Sequence, residues 1–173
     1  MTKRNFRSLL FRGPGTELEV GLAHDGVWLG GGGPTPNGRM TYPNFPTEEV
    51  FTTPVAGATS GTFRCTTPLS FNGRQIDGIA GAFARGRLTR IDASRPSDRE
   101  LLSRTFATDS GAGRLGEVAL VDDSSRIGQA GRIYGETLLD ENAASHIAFG
   151  NGFGGTRSAG GRINRSVIHI DVM

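Results

Sequence analysis

The sequence predicts an α+β fold, a single domain over residues 1–173 dominated by a mixed or antiparallel β-sheet with a few helices. Three observations predict it. Short stretches alternate polar and apolar residues with the two-residue period of a half-buried strand. Asn-Gly, Asp-Gly and Arg-Gly dipeptides punctuate them at hairpin spacing. Helical periodicity is confined to two stretches. The 27 glycines among 173 residues imply many turns and close backbone approaches, and a chain of this length buries one full core rather than two.

Taken in order, "MTKRNFRSLLFRG" has a basic flank and an apolar patch too short for the hydrophobic region of a secretory signal. "TELEVGL", from Thr16 to Leu22, alternates Glu17 and Glu19 with Leu18, Val20 and Leu22 and predicts a strand. "HDG" is expected to turn it back as a hairpin into "VWLGG", with His24 exposed at the tip. "GGGGPTPNG", residues 30–38, reads as a loop. "EVFTTPV", "GTFRCTTPLSF", "RQIDGIAGAF" and "RLTRIDA" read as strands of an antiparallel meander, the later ones joined by Asn72-Gly73 and Arg85-Gly86. "PSDRELLSRTFA" predicts a helix with Ser97 as cap, Glu100 completing a capping box and Leu101, Leu102 and Phe106 on one side. "RLGEVALV" returns to strand, "GETLLDENAASHIAF" to helix, "GNGFGGTRSAGGR" to a glycine-rich loop and "SVIHIDVM" to a final strand.

Charge excludes some partners. The formal net charge is +2, from 19 basic and 17 acidic residues, and the basic residues are scattered singly, so no nucleic-acid partner is expected. No apolar run approaches the roughly 20 residues that span a bilayer, so no membrane partner is expected either. Cys65 is the single cysteine and needs no oxidising compartment, so a cytoplasmic location is expected.

Several acids and histidines lie where apolar residues dominate. His169 and Asp171, at i and i+2 of the last strand, project from one face and can converge on one cation; an edge-strand salt bridge accounts for the pair equally well. Glu117 shares a strand face with Ala119 and Val121, where a carboxylate is paired, metal-bound or at the sheet edge. Glu48 and Glu49 are adjacent at a strand start, and their side chains diverge, so at most one is a direct ligand. His146 follows "LLDENAAS", and by pattern alone is a helix residue with a satisfied ring. Glu49, Glu117, His146, His169 and Asp171 together make a mixed oxygen and nitrogen set suited to two divalent ions such as zinc, cobalt or manganese, and unlike a cysteine-based structural site.

The ordered blocks "RGPGTELEVGL", "NFPTEEVFTTP", "GAGRLGEVALV", "LLDENAASHIAFG" and "SVIHIDVM" resemble the thermophilic aminopeptidase family of metallopeptidases, the group of aminopeptidases T, S and PepS, from about Phe11 to the last residue. The resemblance implies a cytoplasmic exopeptidase that removes N-terminal residues from peptides at a two-metal site. On the matching positions it implies Glu49, Glu117 (bridging), His146, His169 and Asp171 as ligands, and Glu48 as general base if the chain bends it inward. Family members carry a large domain ahead of the first block and a tail beyond the last, so the resemblance implies that residues 1–173 correspond to the catalytic domain alone. Asp171 then lies two residues from the last one, where strands fray unless tied down. The family has a tyrosine seven residues after the position of His146, where this chain has Phe153. That departure keeps a second reading open, a catalytically impaired relative acting as a metal- or peptide-binding module. Edges left uncovered by the missing segments are expected to drive homo-oligomerisation.

Overall fold

Strand-forming sequence folds here into two separate sheets that face each other across one core. In the computed structural model, residues 1–42, 45–158 and 161–173 are described; Asn44 of the "NFPTEEVFTTP" block and Ala159 and Gly160 of the glycine-rich loop lie outside the described residues. The strands are, in chain order, β1 (Ser8–Gly13), β2 (Thr16–Leu22), β3 (Leu29–Gly30), β4 (Gly33–Pro34), β5 (Met40–Thr41), β6 (Glu49–Thr52), β7 (Pro54–Arg64), β8 (Leu69–Phe71), β9 (Arg74–Ile76), β10 (Ala80–Ala84) and β11 (Arg87–Asp92). After the helix α1 (Pro96–Thr105) come β12 (Leu115–Val121), the single turns α2 (Arg126–Gln129) and α3 (Thr137–Asp140), then β13 (His146–Gly150) and β14 (His169–Val172).

One five-stranded sheet has the order β1-β2-β7-β10-β11 and the other β14-β13-β12-β6-β3, with β4-β5 and β8-β9 as small ribbons. Every strand pairing among the described residues is antiparallel, so the α+β expectation holds with no parallel component. The core joins Leu18, Val20, Phe63 and Phe83 of the first sheet to Val118, Ile147, Phe149, Ile170 and Val172 of the second, with Leu102 of α1 and Phe106 just after it closing one side. Phe149 sits at its centre, stacked on Phe106 at 4.0 Å and on Phe83 at 5.4 Å between ring centroids.

Tertiary context overrides several local expectations. "HDG" does not close a hairpin: Ala23–Gly26 is a turn, and Val27 then bonds to the Thr156 carbonyl, so the chain crosses to the second sheet, where β3 pairs with β6. The partner of β2 is instead β1, built from the start of the chain through the Pro14-Gly15 turn. "EVFTTPV" is likewise not one strand, because the chain changes sheets at Thr53 between β6 and β7. The loop over residues 30–38 contains part of the β4-β5 ribbon. The two hairpin dipeptides behave as expected, with Asn72, Gly73, Arg85 and Gly86 all at positive φ.

Helix α1 forms where expected but is not capped by Ser97; Arg95 is the cap residue, Pro96 is first in the helix, and no side chain caps it. What anchors this end is Asp98, fully buried and bonded to Arg74 at 3.1 Å and Arg95 at 2.6 Å. The helix expected over "GETLLDENAASHIAF" shrinks to the turn α3, and His146 opens strand β13. Side chains take over the backbone's partners there: Asp140 accepts from the Tyr134 and Gly135 N–H groups, and Asn142 accepts from Glu48 N–H while donating to the Leu138 carbonyl.

Candidate metal centre

Period two and register decide which side chains meet. Residues directly opposite in an antiparallel pair point to the same side, and the second sheet pairs Glu49 with Val121, Phe51 with Ala119, Ala119 with His146, Glu117 with Ala148, Ala148 with Asp171 and Gly150 with His169. Glu49, Glu117, His146, His169 and Asp171 therefore share one face, opposite the face that carries Val118, Ile147, Phe149 and Ile170 into the core. Ala119 and Ala148 occupy the middle of the ligand face. Their small side chains leave the space into which the five longer ones converge.

The convergence is close. His146 Nε2 is 3.3 Å from Glu49 Oε2, 3.8 Å from Glu117 Oε1 and 3.9 Å from Asp171 Oδ1. His169 Nε2 is 3.5 Å from Glu117 Oε2 and 3.4 Å from Asp171 Oδ1. Both rings are oriented from behind, because His146 Nδ1 lies 3.0 Å from the Ala144 carbonyl and His169 Nδ1 2.8 Å from the Asn151 carbonyl. A carbonyl only accepts, so each Nδ1 carries the hydrogen and each Nε2 faces the cluster, the usual arrangement behind a metal-ligating histidine.

The electrostatics call for positive charge. Burial, then the neighbouring Asp171 and Glu49 carboxylates, push Glu117 up to about 9. Burial also raises Glu49. Burial opposes the charge on His169, yet Asp171 and the Asn151 carbonyl outweigh it and raise the ring to about 9. Burial likewise opposes the charge on Asp171, and the hydrogen bond and charge of His169 outweigh it, leaving that carboxyl below its ordinary value. Glu49 Oε2 is buried without a hydrogen-bond partner, 3.3 Å from His146 Nε2. A cation held by this oxygen and the imidazole satisfies it. The donor set is all carboxylate oxygen and imidazole nitrogen, which fits zinc, cobalt or manganese. Two trios can hold an ion, Glu49 with Glu117 and His146, and Glu117 with His169 and Asp171, each with its ligand atoms within 4.8 Å of one another.

Asp171 is secured despite its place in the chain. Thr66 and Thr67 N–H groups bond to the Met173 carbonyl, and Val172 and Met173 are buried. Glu48 diverges from Glu49 as strand geometry requires. Its carboxylate rests against the Ser125 hydroxyl and the Arg126 and Ile127 amides at the start of α2, which hold it below the usual range, and it does not line the cavity over the site. That cavity, of about 560 Å³, has Glu49, Glu117, His169 and Asp171 at its base and Gly30–Gly33, Phe51, Leu138, Glu141 and Phe153 around them. The Phe153 ring packs edge-on to His169 at 5.0 Å and against Phe51 at 5.2 Å.

Glu141 is the residue that the sequence concealed. Burial, followed by the charges of Asp171 and Glu49, pushes it up to about 8. It stands beside Asp140 in a polar run without strand or helix periodicity, and nothing local separates the acid that bonds backbone amides from the one that faces the cavity. His24 is exposed, as expected.

Comparison with known proteins agrees with this geometry. Residues 1–173 match the family described as thermophilic metalloprotease (M29). The chain is 43% identical to aminopeptidase T of Thermus thermophilus and 41% identical to aminopeptidase T of Thermus aquaticus, in each case over all of this chain and 44% of the relative. The structure of wild-type AmpT from Thermus thermophilus superposes with a TM-score of 0.92, covering 99% of this chain and 44% of that one. The chain thus spans less than half the length of these relatives. With the family match running over its full length, the chain belongs to the thermophilic metalloprotease (M29) family.

Proposed function

We propose that residues 1–173 act as the catalytic domain of a metal-dependent aminopeptidase that removes N-terminal residues from peptides at a site for two divalent cations, in a cytoplasmic setting. The observation that carries this reading is Glu117, the one carboxylate common to both ligand trios, which would serve an ion in each. Family membership supports the metal dependence and the peptide substrate. Bound there, the cations supply a Lewis acid for the scissile carbonyl and lower the pKa of the attacking water.

The chain's own residues do the rest. Glu49, His146, His169 and Asp171 complete the two trios. The expected base, Glu48, is held at α2 outside the cavity, so we assign the role to Glu141, which lines the cavity and, in its deprotonated form, would take the proton of the attacking water and return it to the leaving amine. Phe51, Leu138 and Phe153 offer an apolar wall to the first side chain of the peptide, and the Gly30–Gly33 backbone leaves room for it. The outer strand β1 of the first sheet, with no further strand beyond it among the described residues, offers an edge for a second copy.

One observation favours a second reading, a metal- or peptide-binding module without turnover: at Phe153 a ring with no polar atom meets His169. Hydrolysis of an aminoacyl p-nitroanilide by the cobalt- or zinc-loaded chain separates the two. Turnover that disappears with chelator and in Glu117→Gln supports the peptidase. Metal-loaded chain inert on a broad panel of such amides supports the binding module and removes the enzyme.

A further inference from the structure

The fold gathers charges that the sequence scatters. A second cleft, of about 570 Å³, is lined by Arg87, Arg114, Arg157, Arg162 and Arg165 and by no carboxylate among the described residues. These arginines come from separate parts of the chain: the first residue of β11, the residue ahead of β12, and three positions between β13 and β14. Only Arg157 is matched by an acid, bonding to Asp25 through Nε and Nη2 while its Nη1 reaches the Arg162 carbonyl. Arg114 donates to the Ala56 and Gly86 carbonyls, which orient the guanidinium without neutralising it. Arg87, Arg162 and Arg165 have no acidic partner among the described residues. Asp109, five residues before Arg114, is spent on the Gly111, Ala112 and Val167 amides and the Ser166 hydroxyl.

The charge imbalance has a physical consequence. The whole chain has a formal net charge of +2, so an acid-free cleft with four unmatched guanidinium groups concentrates more charge than the molecule carries overall. Burial, and then the like charge of Arg87, already disfavour the charged form of Arg114. An anion in the cleft relieves that repulsion. Guanidinium forks match tetrahedral oxyanions bidentately, and several forks around one small volume suit a ligand with more than one negative charge.

We propose that this cleft is a binding site for a compact multivalent oxyanion of the phosphate type, held by Arg87, Arg114, Arg162 and Arg165. The site is independent of the metal centre and of the peptidase reading. The test is calorimetric titration of the metal-free chain at constant ionic strength with sulfate, orthophosphate and pyrophosphate, because phosphates also coordinate divalent ions. The native chain should take up one pyrophosphate. Arg87→Gln/Arg165→Gln should weaken it about a hundredfold, roughly tenfold for each guanidinium removed, whereas Glu117→Gln should bind as the native chain does. Arg162→Gln, at an exposed loop position, provides a second variant should the first fail to fold. Equal affinity for sulfate and pyrophosphate assigns the site to a free ion, and a clear preference for pyrophosphate assigns it to a phosphoryl-bearing ligand. No saturable heat, unchanged binding in the arginine variants, or affinity that keeps growing with the length of an oligonucleotide would overturn the proposal.

Discussion

At the scale of the residue, the candidate site is a set of protons held where cations belong. Glu117 has an ordinary value of 4.5 and stands near 9 in the folded chain, and His169 moves from 6.5 to about 9. In both cases the folded state binds the proton more tightly than the unfolded one. The metal-free chain must therefore lose stability as pH rises, first through Glu117 and then, above 6.5, through both, up to about 9. Asp171 acts in the opposite sense, and only below its ordinary 3.8. Metal ligation needs the deprotonated forms, so loading should release protons at neutral pH and should flatten this decline. Urea unfolding of metal-free and metal-loaded protein from pH 6 to 9 checks this; a metal-free midpoint that climbs over that range would contradict it. Glu141 makes a separate prediction. If its carboxylate moves the proton of the attacking water, Glu141→Gln lowers kcat about a hundredfold or more while the bound metal, measured by elemental analysis, stays at the native level.

At the scale of the element, the site depends on how β13 and β14 meet. Gly150 closes β13 with φ of 96°, and a Cβ there would stand 2.2 Å from the Ile168 carbonyl oxygen. The residue opposite is His169. Gly150→Ala should destabilise the fold by about 2 kcal/mol and displace the His169–Asp171 pair, leaving Glu49 and His146 in place. Metal titration should then find the second ion weakened more than the first. Equal loss of both ions would show that the two trios are not separately built. The same scale explains what sequence missed. His146 was legible as a buried histidine but not as a strand residue, because the Asn142 side chain takes up the Leu138 carbonyl that a continued helix would have used. The hairpin expected at Asp25-Gly26 failed for a related reason: a turn residue fixes that the chain bends, and the partner sheet decides where it goes.

At the scale of the whole molecule, the fold turns a linear scatter into two opposed charge patterns. Acids and histidines embedded in "TEEVF", "LGEVAL" and "HID" were readable from sequence because apolar neighbours make a lone carboxylate conspicuous. Their meeting on one sheet face was not readable, since it rests on the order β14-β13-β12-β6, which no local pattern encodes. Glu141 was hidden in a polar turn, and the arginine cleft was hidden because its members lie on separate segments. Strand existence was thus written locally, and sheet membership only in the assembled core around Phe149. No helix among the described residues is long and apolar enough to cross a membrane, and the buried surface is spent on joining two sheets whose one outward face holds the ligands.

The central claim is that Glu117 bridges two divalent ions, and counting bound metal tests it most directly. Elemental analysis of the chain saturated with zinc or cobalt and freed of excess should give two ions per chain, falling to one or fewer in Glu117→Gln with the fold intact by circular dichroism. A single ion in the native chain, or two ions retained in Glu117→Gln, would contradict it.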